Sequence, residues 1–405
     1  AAATAAAAVA VAVEGHSHSC RLDGRDCEGE EAEGTEEDAA ENSLMQGLRR
    51  CLATARQLLV QQHHHLTSST VLCEQAQMTN EERDDENGGL SYVVAQLTGL
   101  HKKGFGEFGE WHVVTLHPPM GLREIWNTAR FMLNTRGPPI PVKIWDAREL
   151  EEKEGLSKKE FLEKHGFVLI RKPTAMTSRD WIASAPITLD LCHFTGIGMP
   201  KNKITPVSEI YAKEVEEVVR ELYPDATLVE CDPLCARRGP GTKNPNYSFG
   251  PHQDYGLTAD DWPLAGEGFR QRFSKRETKG MMALNFWRPV APMKGPVLQH
   301  PLAVCEPSTV KWDDVILTSI KWDEKPHHRM MTIAYDEDQR WYYYPNMTTD
   351  EVLIFKSFQH LKEQHDAEVE SPVLRTCFHT AFHHPDAPKN CEPRQSAEYR
   401  VRVWF

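Results

Sequence analysis

The residues of this chain best suited to metal chemistry are two histidines and an aspartate. His252 and Asp254 stand two apart in the segment FGPHQDYG, and His379 follows 125 residues after Asp254. In extended backbone, side chains at i and i+2 share one face, so His252 and Asp254 can both contact one ion. Two histidines and a carboxylate are the ligand set of non-heme Fe(II) oxygenases. The sequence therefore predicts a catalytic iron site with His252, Asp254 and His379 as the metal ligands.

The third ligand has to be chosen among nineteen histidines. His379 lies within TCFHTAF at 376–382, a segment typical of a strand, and it precedes the last predicted strand. His300 has no arginine placed after it to bind a co-substrate, and His383 and His384 follow the predicted strand end. We therefore favour His379. On spacing alone, a satisfied polar histidine in a core strand explains this residue equally well.

The last segment of the chain contains a candidate anion site. Polar residues alternate there with mostly apolar ones, and the polar set is Arg394, Ser396, Glu398, Arg400 and Arg402. Such a face is normal for a solvated sheet edge, but inside a barrel it would line the cavity. Arg394 would then offer a planar, two-pronged donor to a carboxylate, with Ser396 as a second hydrogen-bonding group. This pattern predicts a seat for a dicarboxylate co-substrate.

The composition separates an acidic leader from a nearly neutral body. The chain has 405 residues and a net charge of −13, of which residues 1–88 carry −11. We expect 1–88 to be a low-complexity leader, largely disordered, with one amphipathic helix over 43–62. We expect 89–405 to be a single domain, with helical and strand support over 89–230 and the barrel over 231–405. The body has no basic excess, so nucleic acid is not an expected partner.

The predicted elements change in character along the body. We predict strands over 92–97 and 111–116, and a helix that begins at the capping box of Ser157 and Glu160 and ends at Gly166. A strand over 167–170, a helix from Thr205 to about Pro224 and a strand over 227–230 follow. Short strands then dominate, with one more helix expected from Thr349 to about Lys362. Helices followed by many strands indicate a mainly β fold with flanking helices (α+β), a barrel or jelly roll.

Several segments carry a resemblance to a known family. In order, they are NFWRP at 285–289, GP at 295–296, PLA at 301–303, WYYYPNM at 341–347, FK at 355–356, HTAF at 379–382 and PRQSAEYR at 393–400, with a weaker match at 165–173. On these segments the chain resembles the fungal-type hydroxylase/desaturase family that includes gibberellin-desaturase-like and cephem-methoxylase-like proteins. It departs from the family at Gln359 and His360, where an acidic or small polar residue is common. Residues 1–140 show no such match.

The resemblance implies a fold, an activity and a set of site residues. The fold would be a double-stranded β-helix (jelly-roll, cupin-like) core, and the enzyme an Fe(II)/2-oxoglutarate-dependent oxygenase that uses O2 to hydroxylate or desaturate a C–H bond of a small secondary metabolite. His252, Asp254 and His379 fall on the family's metal positions and Arg394 and Ser396 on its co-substrate positions. Asn285 and Arg288 would be further pocket residues on the co-substrate side. The expected substrate-lining residues are Trp287, Tyr343, Phe382 and Arg400, although buried core packing is the commoner use of such aromatic residues.

Two other functions are compatible with the same motifs. A metal-dependent cupin-type enzyme without 2-oxoglutarate would keep the three ligands and not need Arg394. A non-catalytic barrel that acts as a binding partner in a pathway would tolerate loss of the metal. The presence of HxD, a later histidine and Arg-x-Ser together favours catalysis.

The remaining expectations concern partners and compartment. We expect a small-molecule substrate, and Arg288, Arg400 and Arg402 favour one that bears a carboxylate. No apolar stretch of about 18 residues occurs, so no membrane-spanning helix is expected. Scattered single cysteines are typical of a reducing compartment, which favours the cytoplasm. The Ala/Val run at 1–13 leaves a truncated targeting segment open, and the oligomeric state is not indicated.

Overall fold

A computed structural model describes the chain over residues 89–101, 111–115, 137–184, 204–232, 234–242, 247–256, 278–321, 328–361 and 374–405. Residues Leu90–Phe405 form one compact unit. The predicted leader helix over 43–62 lies outside the described residues.

Strands outnumber helices throughout this unit. The first elements are β1 (Tyr92–Leu97), β2 (Trp111–Thr115), β3 (Ile140–Asp146), α1 (Ala147–Glu154), α2 (Lys158–His165), β4 (Phe167–Arg171), α3 (Ser178–Ala183), a π-helical turn (Val207–Tyr211) and α4 (Ala212–Leu222). After them come β5 (Leu228–Cys231), β6 (Ala236–Arg238), β7 (His252–Gln253), β8 (Gly280–Pro289), β9 (Leu302–Cys305), β10 (Val315–Lys321), β11 (His328–Ile333), β12 (Trp341–Tyr343), β13 (Glu351–Leu361), β14 (His379–Ala381) and β15 (Ser396–Trp404). Short 3-10 turns at Pro307–Thr309 and Trp312–Asp314 precede β10.

The strands form two sheets. The larger has nine strands in the order β1-β3-β12-β9-β14-β7-β11-β10-β2, and the smaller has six, β4-β13-β8-β15-β5 with β6 also paired to β15. Strands from the first half of the body, such as β3 and β4, belong to the same sheets as the later strands. Two large sheets with few helices confirm the predicted mainly β, jelly-roll class.

Alternation along β15 explains how the smaller sheet separates two environments. Its odd-numbered residues, Ala397, Tyr399, Val401 and Val403, belong to one hydrophobic cluster with the apolar stripe of α4. That stripe consists of Val215, Val218, Val219 and Leu222. Because successive side chains point to opposite faces, Ser396, Glu398, Arg400 and Arg402 face the other way. The polar face predicted from the sequence is therefore turned away from the helices.

The predicted helix boundaries correspond to capping residues. The side chain of Ser157 accepts a hydrogen bond from the backbone N–H of Glu160, and the Glu160 carboxylate accepts one from the backbone N–H of Ser157, which forms the capping box of α2. Gly166 ends α2 with a φ of 79°. The helix after Thr205 ends at Leu222, two residues before Pro224. These boundaries confirm the predictions from capping residues and proline.

The helix expected from Thr349 to about Lys362 is wrong. The chain forms strand β13 there, hydrogen-bonded between β4 and β8. Residues from Val352 to Phe358 are buried on both faces of the strand, so the segment has no exposed face and no alternation of burial. A short apolar run of this kind cannot be distinguished from a buried helix by periodicity. Sheet pairing, which the local sequence does not encode, decides the outcome.

Among the described residues, no helix is both long enough and apolar enough to cross a membrane.

Candidate metal centre

The side chains of His252, Asp254 and His379 converge. One ligand atom from each lies within 4.8 Å of the others, and this is the only such group of three found among the described residues. Strands β7 and β14 pair antiparallel with His252 directly opposite His379, and the two imidazole rings are 4.4 Å apart. Directly opposed residues of an antiparallel pair share a face, and Asp254 lies two residues beyond His252. Strand pairing thus unites three residues that are far apart in the chain.

The position of Gln253, between His252 and Asp254, agrees with the prediction that these two residues share a face. Gln253 is fully buried on the opposite side, where its side-chain amide donates to the backbone oxygen of Ser357 and, at 3.2 Å, to Thr376 Oγ1. This contact ties β7 to the neighbouring elements and leaves His252 and Asp254 on the other face, which also carries His379.

Hydrogen bonding and burial set the two histidines for metal binding. Nδ1 of His252 lies 2.8 Å from the backbone oxygen of Gly250, so a proton on Nδ1 leaves Nε2 free, 3.7 Å from Asp254 Oδ1. Burial, together with the nearby His252, lowers the pKa of His379 to about 4. Metal binding requires neutral imidazole, so this environment favours the ligand form.

The carboxylate of Asp254 is held in its ionised form. Burial alone would raise its pKa, but the positive charge of Arg400 and the two histidines outweigh burial and lower it. Arg400 Nη2 is 3.1 Å from Asp254 Oδ2, and Asn285 Nδ2 donates to the same oxygen at 2.9 Å. Asn285, expected on the co-substrate side of the pocket, therefore contacts a metal-ligand candidate directly.

Arg394 lies just before β15 and is buried, with 2% of its surface exposed. Its guanidinium carbon is 4.0 Å from the ring centre of Tyr247 and 5.4 Å from that of Trp287, and one Nη1 hydrogen bond goes to the backbone oxygen of His300. Its Nε has no hydrogen-bond partner among the described residues. Burial lowers the pKa of this guanidinium to about 9. A buried cation with an unused donor is suited to binding an anion.

Strand register shows on which face of the smaller sheet the Arg394 guanidinium lies. Trp287 pairs with Glu398 across β8 and β15, so both side chains lie on the face that carries Ser396 and Arg400. The contact between Arg394 and Trp287 therefore places the guanidinium on this same side. Ser396 is also buried, with 1% of its surface exposed.

Arg288 is not brought to this cluster. It pairs with Ala397, which faces the helices, and its guanidinium lies 5.6 Å from the ring of Tyr211. Its Nη2 donates to the backbone oxygens of Lys172, at 3.0 Å, and Thr349. Asn285 and Arg288 are three residues apart on one strand, and an odd spacing puts them on opposite faces. The guanidinium of Arg288 therefore joins neighbouring segments of the chain at Lys172 and Thr349. It lies on the face of β8 opposite to the one that carries Asn285.

The expected substrate-lining aromatic residues divide in the same way. Trp287 lies on the face of the smaller sheet that carries Arg400, and so does Phe355, which pairs with Asn285 and whose ring is 4.7 Å from that of His379. Tyr343 and Phe382 contact each other at 5.4 Å within a separate hydrophobic cluster of the larger sheet. The Tyr343 hydroxyl is 3.1 Å from His384 Nε2. These two rings are thus packed in a core and are not brought to the three metal-ligand candidates.

His300 also lies apart from the metal-ligand candidates. Its ring packs 5.3 Å from Phe249 and 4.6 Å from His383, and its backbone oxygen accepts the hydrogen bond from Arg394. His300 therefore contributes to the surroundings of Arg394 through its main chain.

Sequence reasoning did not single out Arg238. It lies on β6 directly opposite Ser396, so the two side chains share one face of the smaller sheet, and Glu398 and Asp254 act electrostatically on it. Burial lowers the pKa of Arg238. The only local signal is the pair Arg237-Arg238, and nothing in the sequence states that this short strand pairs with β15.

Comparisons with known proteins agree with this geometry. The chain is 34% identical over 123 residues to the Fe(II)/2-oxoglutarate-dependent dioxygenase nvfI of Aspergillus novofumigatus, which is 30% of this chain and 40% of that protein. It is 32% identical over 123 residues to aspirochlorine biosynthesis protein N of Aspergillus oryzae, 30% of this chain and 47% of that protein. It is 31% identical over 131 residues to hydroxylase/desaturase CTB9 of Cercospora beticola, 30% of this chain and 36% of that protein. The matched segment spans less than half of each of these relatives.

Solved structures show the same fold. The structure of the iron and alpha-ketoglutarate-dependent endoperoxidase NvfI superposes with a TM-score of 0.51 at 21% identity, covering 78% of this chain and 98% of that chain. The family model described as YDMC, oxidoreductase/YMDC permease-like domain, matches residues 127–404, which include every candidate site residue discussed above. The chain belongs to this oxidoreductase/YMDC permease-like family.

Proposed function

We propose that the chain is an Fe(II)- and 2-oxoglutarate-dependent oxygenase that hydroxylates or desaturates a C–H bond of a small secondary metabolite. The observation that carries this proposal is the convergence of His252, Asp254 and His379 on one face, with the buried cation Arg394 on the same side. The names of the relatives, a dioxygenase and a hydroxylase/desaturase among them, support the same chemistry.

The donor set fits Fe(II). Two neutral imidazoles and one carboxylate would hold the ion on one side and leave its other positions open for small ligands. When bound, the iron, together with 2-oxoglutarate and O2, supplies the oxidation that breaks a substrate C–H bond and releases succinate and CO2. The residues of the chain provide the positioning and the surroundings of that reaction.

Arg394 and Ser396 are proposed to bind the distal carboxylate of 2-oxoglutarate. The guanidinium is desolvated, its Nε is unused, and Tyr247 holds it in place from one face. A carboxylate bound there would neutralise the buried positive charge of Arg394. Because the Arg394 side chain is already held in place, binding would cost little side-chain entropy. Ser396 lies two residues further along the same face, and its hydroxyl group can donate a hydrogen bond to the same carboxylate.

Apolar rings next to the cluster would limit the access of water. Phe355 packs against His379, and Trp287 lies beside Arg394. Both are almost fully buried. A dry cavity strengthens electrostatic contacts with the co-substrate and suppresses side reactions.

The proposed substrate is a small organic molecule. The structure does not support the expectation that Arg288, Arg400 and Arg402 favour a substrate with a carboxylate. Arg288 lies on the other face of β8. Arg400 pairs with Asp254 and Glu398, and Arg402 pairs with Asp232 at 2.8 Å and with Glu230. All three arginines are engaged within the protein, so none of them argues for an acidic substrate.

The test is turnover of 2-oxoglutarate. The protein with Fe(II), O2 and 2-oxoglutarate should release succinate, and a substrate should increase that release in proportion to its own oxidation. Small organic molecules, peptides and oligonucleotides are compared as substrates. Metal-dependent oxidation that proceeds without 2-oxoglutarate would replace the proposal by a cupin-type enzyme, and absence of metal binding would leave a binding protein. Stoichiometric oxidation of a peptide or an oligonucleotide would overturn the substrate class alone.

A further inference from the structure

We propose that Asn285, Glu398 and Arg400 form a clamp that fixes one oxygen of Asp254, so that this carboxylate binds metal through Oδ1 alone. The three are positioning residues, and the inference rests on the proposed metal site. Nothing in the sequence motifs assigns this role, because Asn285 and Arg400 were expected to contact co-substrate or substrate.

The clamp is a closed ring of contacts around two carboxylates. Asn285 Nδ2 donates to Asp254 Oδ2 at 2.9 Å and to Glu398 Oε1 at 3.4 Å. Arg400 Nη2 reaches the same two oxygens, at 3.1 Å from Asp254 Oδ2 and 2.9 Å from Glu398 Oε1. Both donors therefore bridge the same pair of acceptors, and neither carboxylate can rotate without breaking two contacts.

Strand register explains why the ring forms. Asn285 on β8 lies directly opposite Arg400 on β15, and Glu398 precedes Arg400 by two residues on the same face. Asn285 is fully buried, and 2% of Asp254 is exposed. The clamp is thus built on two central strands of the smaller sheet, while Asp254 is supplied by the segment after β7 in the larger one.

The two oxygens of Asp254 consequently have different roles. Oδ2 accepts from both Asn285 and Arg400 and is 4.0 Å from His379 Nε2, whereas Oδ1 is 3.7 Å from His252 Nε2. Because both donors act on Oδ2, Oδ1 is the oxygen left for a metal. A carboxylate fixed in this way occupies one position on the metal. If it were free to turn, it could occupy two and block a position that co-substrate or O2 needs. Outer residues that orient a metal ligand typically contribute 10- to 100-fold to metal affinity or activity.

Glu398 also affects the charge around the ring. Asp254 and Glu398 bring two negative charges, which offset the positive charges of Arg400 in the ring and of Arg238, on which both carboxylates act. Glu398 therefore has a function beyond pairing with its neighbour, because it holds Arg400 in place and offsets its repulsion of the metal.

The same strand offers a matched control. Arg402 is two residues further along the same face of β15, and it pairs with Glu230 and Asp232. It makes the same kind of ion pair, with 24% of its side chain exposed against 11% for Arg400, but is not part of the ring. An Arg402→Lys variant therefore reports the cost of changing a paired arginine on β15 without disturbing Asp254.

The experiment is a titration of the metal-free full chain with Co(II), followed by its visible absorption, with thermal unfolding of each metal-free variant as the fold control. We expect Asn285→Ala to weaken Co(II) binding 10- to 100-fold. Arg400→Lys keeps the charge but loses the planar guanidinium, whose Nη2 contacts both carboxylates while its Nε donates to Glu398 Oε1 at 3.2 Å. It should weaken Co(II) binding about tenfold. Arg402→Lys should change it less than about twofold. Unfolding temperatures of the metal-free Arg400→Lys and Arg402→Lys proteins should be equal.

Two further variants separate the clamp from the metal site. His252→Ala and His379→Ala should abolish Co(II) binding. If they do not, the proposed metal site is wrong, and the clamp proposal fails with it. If they do abolish it while Asn285→Ala and Arg400→Lys bind Co(II) as tightly as Arg402→Lys, the metal site stands and the clamp is refuted. Loss of affinity equal in Arg400→Lys and Arg402→Lys would also refute it, because the effect would then belong to β15 in general.

Discussion

At the scale of single residues, the site depends on donors that are neutral or ionised as metal binding requires. His379 stays neutral because it is buried, and Asp254 stays ionised because Arg400 is beside it. Both residues also make buried contacts: the His379 ring packs 4.7 Å from that of Phe355, and Asp254 pairs with Arg400. Substitutions here should therefore remove metal binding and also lower the stability of the fold.

We predict that His252→Ala, Asp254→Ala and His379→Ala each remove most Fe(II) affinity while the chain remains folded. The reason is that each contributes one donor to a three-donor site. His300→Ala should retain iron, because the His300 ring lies against Phe249 and His383. Fe(II) binding is measured under anaerobic conditions and the fold by circular dichroism. Loss of iron in His300→Ala with retention in His379→Ala would reverse the choice of third ligand.

We predict that Arg394→Ala and Arg394→Lys weaken 2-oxoglutarate binding without changing Fe(II) affinity. A hydrogen bond to a charged group contributes roughly 1.5–3 kcal/mol, or about ten- to a hundredfold in affinity. Lysine keeps the charge and loses the planar fork, so it should still be impaired. Isothermal titration of the metal-loaded protein with 2-oxoglutarate gives the affinity. An unchanged value in Arg394→Ala would move the anchor elsewhere, and Arg238, opposite Ser396, would be tested next.

Residue types and spacing were sufficient to name His252, Asp254, His379 and Arg394 as candidates, since each belongs to a motif. They could not place Arg288. The spacing of three residues between Asn285 and Arg288 puts them on opposite faces of β8, but the sequence does not show which face carries the site. They could not find Arg238, whose relation to Ser396 is created by pairing between β6 and β15. Contacts between distant segments are the information that one sequence lacks.

At the scale of elements, local signals and tertiary pairing explain different parts of the fold. The capping box of α2 and the glycine at its end are local, and they were predicted to the residue. β13 was mistaken for a helix because burial on both faces removes the alternation that identifies a strand. Its pairing with β4 and β8 determines its structure.

We predict that Gly280→Ala destabilises the chain, whereas Gly295→Ala has little effect. A Cβ at Gly280 would lie 2.6 Å from Leu361 Cδ2 and 2.8 Å from Leu361 Cα, and closer still to the backbone oxygen of His360. Backbone atoms cannot move aside, so β8 and β13 would separate at this end. At Gly295 the nearest atom is Glu392 Oε2, at 3.6 Å. Urea unfolding should show a loss of about 1–3 kcal/mol for Gly280→Ala only. Equal stability of both variants would contradict the tight pairing.

We predict that His165 makes stability depend on pH. Burial alone would lower its pKa, but hydrogen bonds with Glu306, at 2.9 Å, and Glu154, at 2.8 Å, raise it above the value of 6.5. The folded chain therefore keeps this proton after the unfolded chain has lost it. The resulting stabilisation is present below about pH 6.5 and is lost as the pH rises through the folded-state pKa.

Unfolding in urea between pH 6 and 9 tests this dependence. The wild type should lose more stability over this range than His165→Gln, which cannot carry the charge. The loss of stability of a Glu306→Gln variant between pH 6 and 9 should be intermediate between those of the wild type and His165→Gln. Identical pH profiles of wild type and His165→Gln would show that the imidazole does not hold its proton in the folded state.

At the scale of the whole molecule, charge and chemistry are separated along the chain. Residues 1–88 carry most of the net negative charge and none of the motifs, while every described site residue lies between Arg238 and Arg400. The family model begins only at residue 127. We therefore propose that the acidic leader takes no part in the reaction.

We predict that a chain beginning at Gly89 folds, binds Fe(II) and turns over 2-oxoglutarate as the full chain does. Removal of a segment that contributes no ligand should leave metal affinity unchanged within about twofold. Metal titration and succinate release of the two chains are compared. A shortened chain that stays folded but binds no iron would assign the leader to the site.

The central claim is that one cavity holds iron beside a keto-acid anchored by Arg394. The most direct measurement is the visible absorption of the metal-free chain after anaerobic addition of Fe(II) and then 2-oxoglutarate. We predict a weak charge-transfer band that requires both additions, is absent in His379→Ala and needs a higher 2-oxoglutarate concentration in Arg394→Lys. Tight Fe(II) binding with no band at any 2-oxoglutarate concentration would contradict the claim and leave a metal enzyme of another kind.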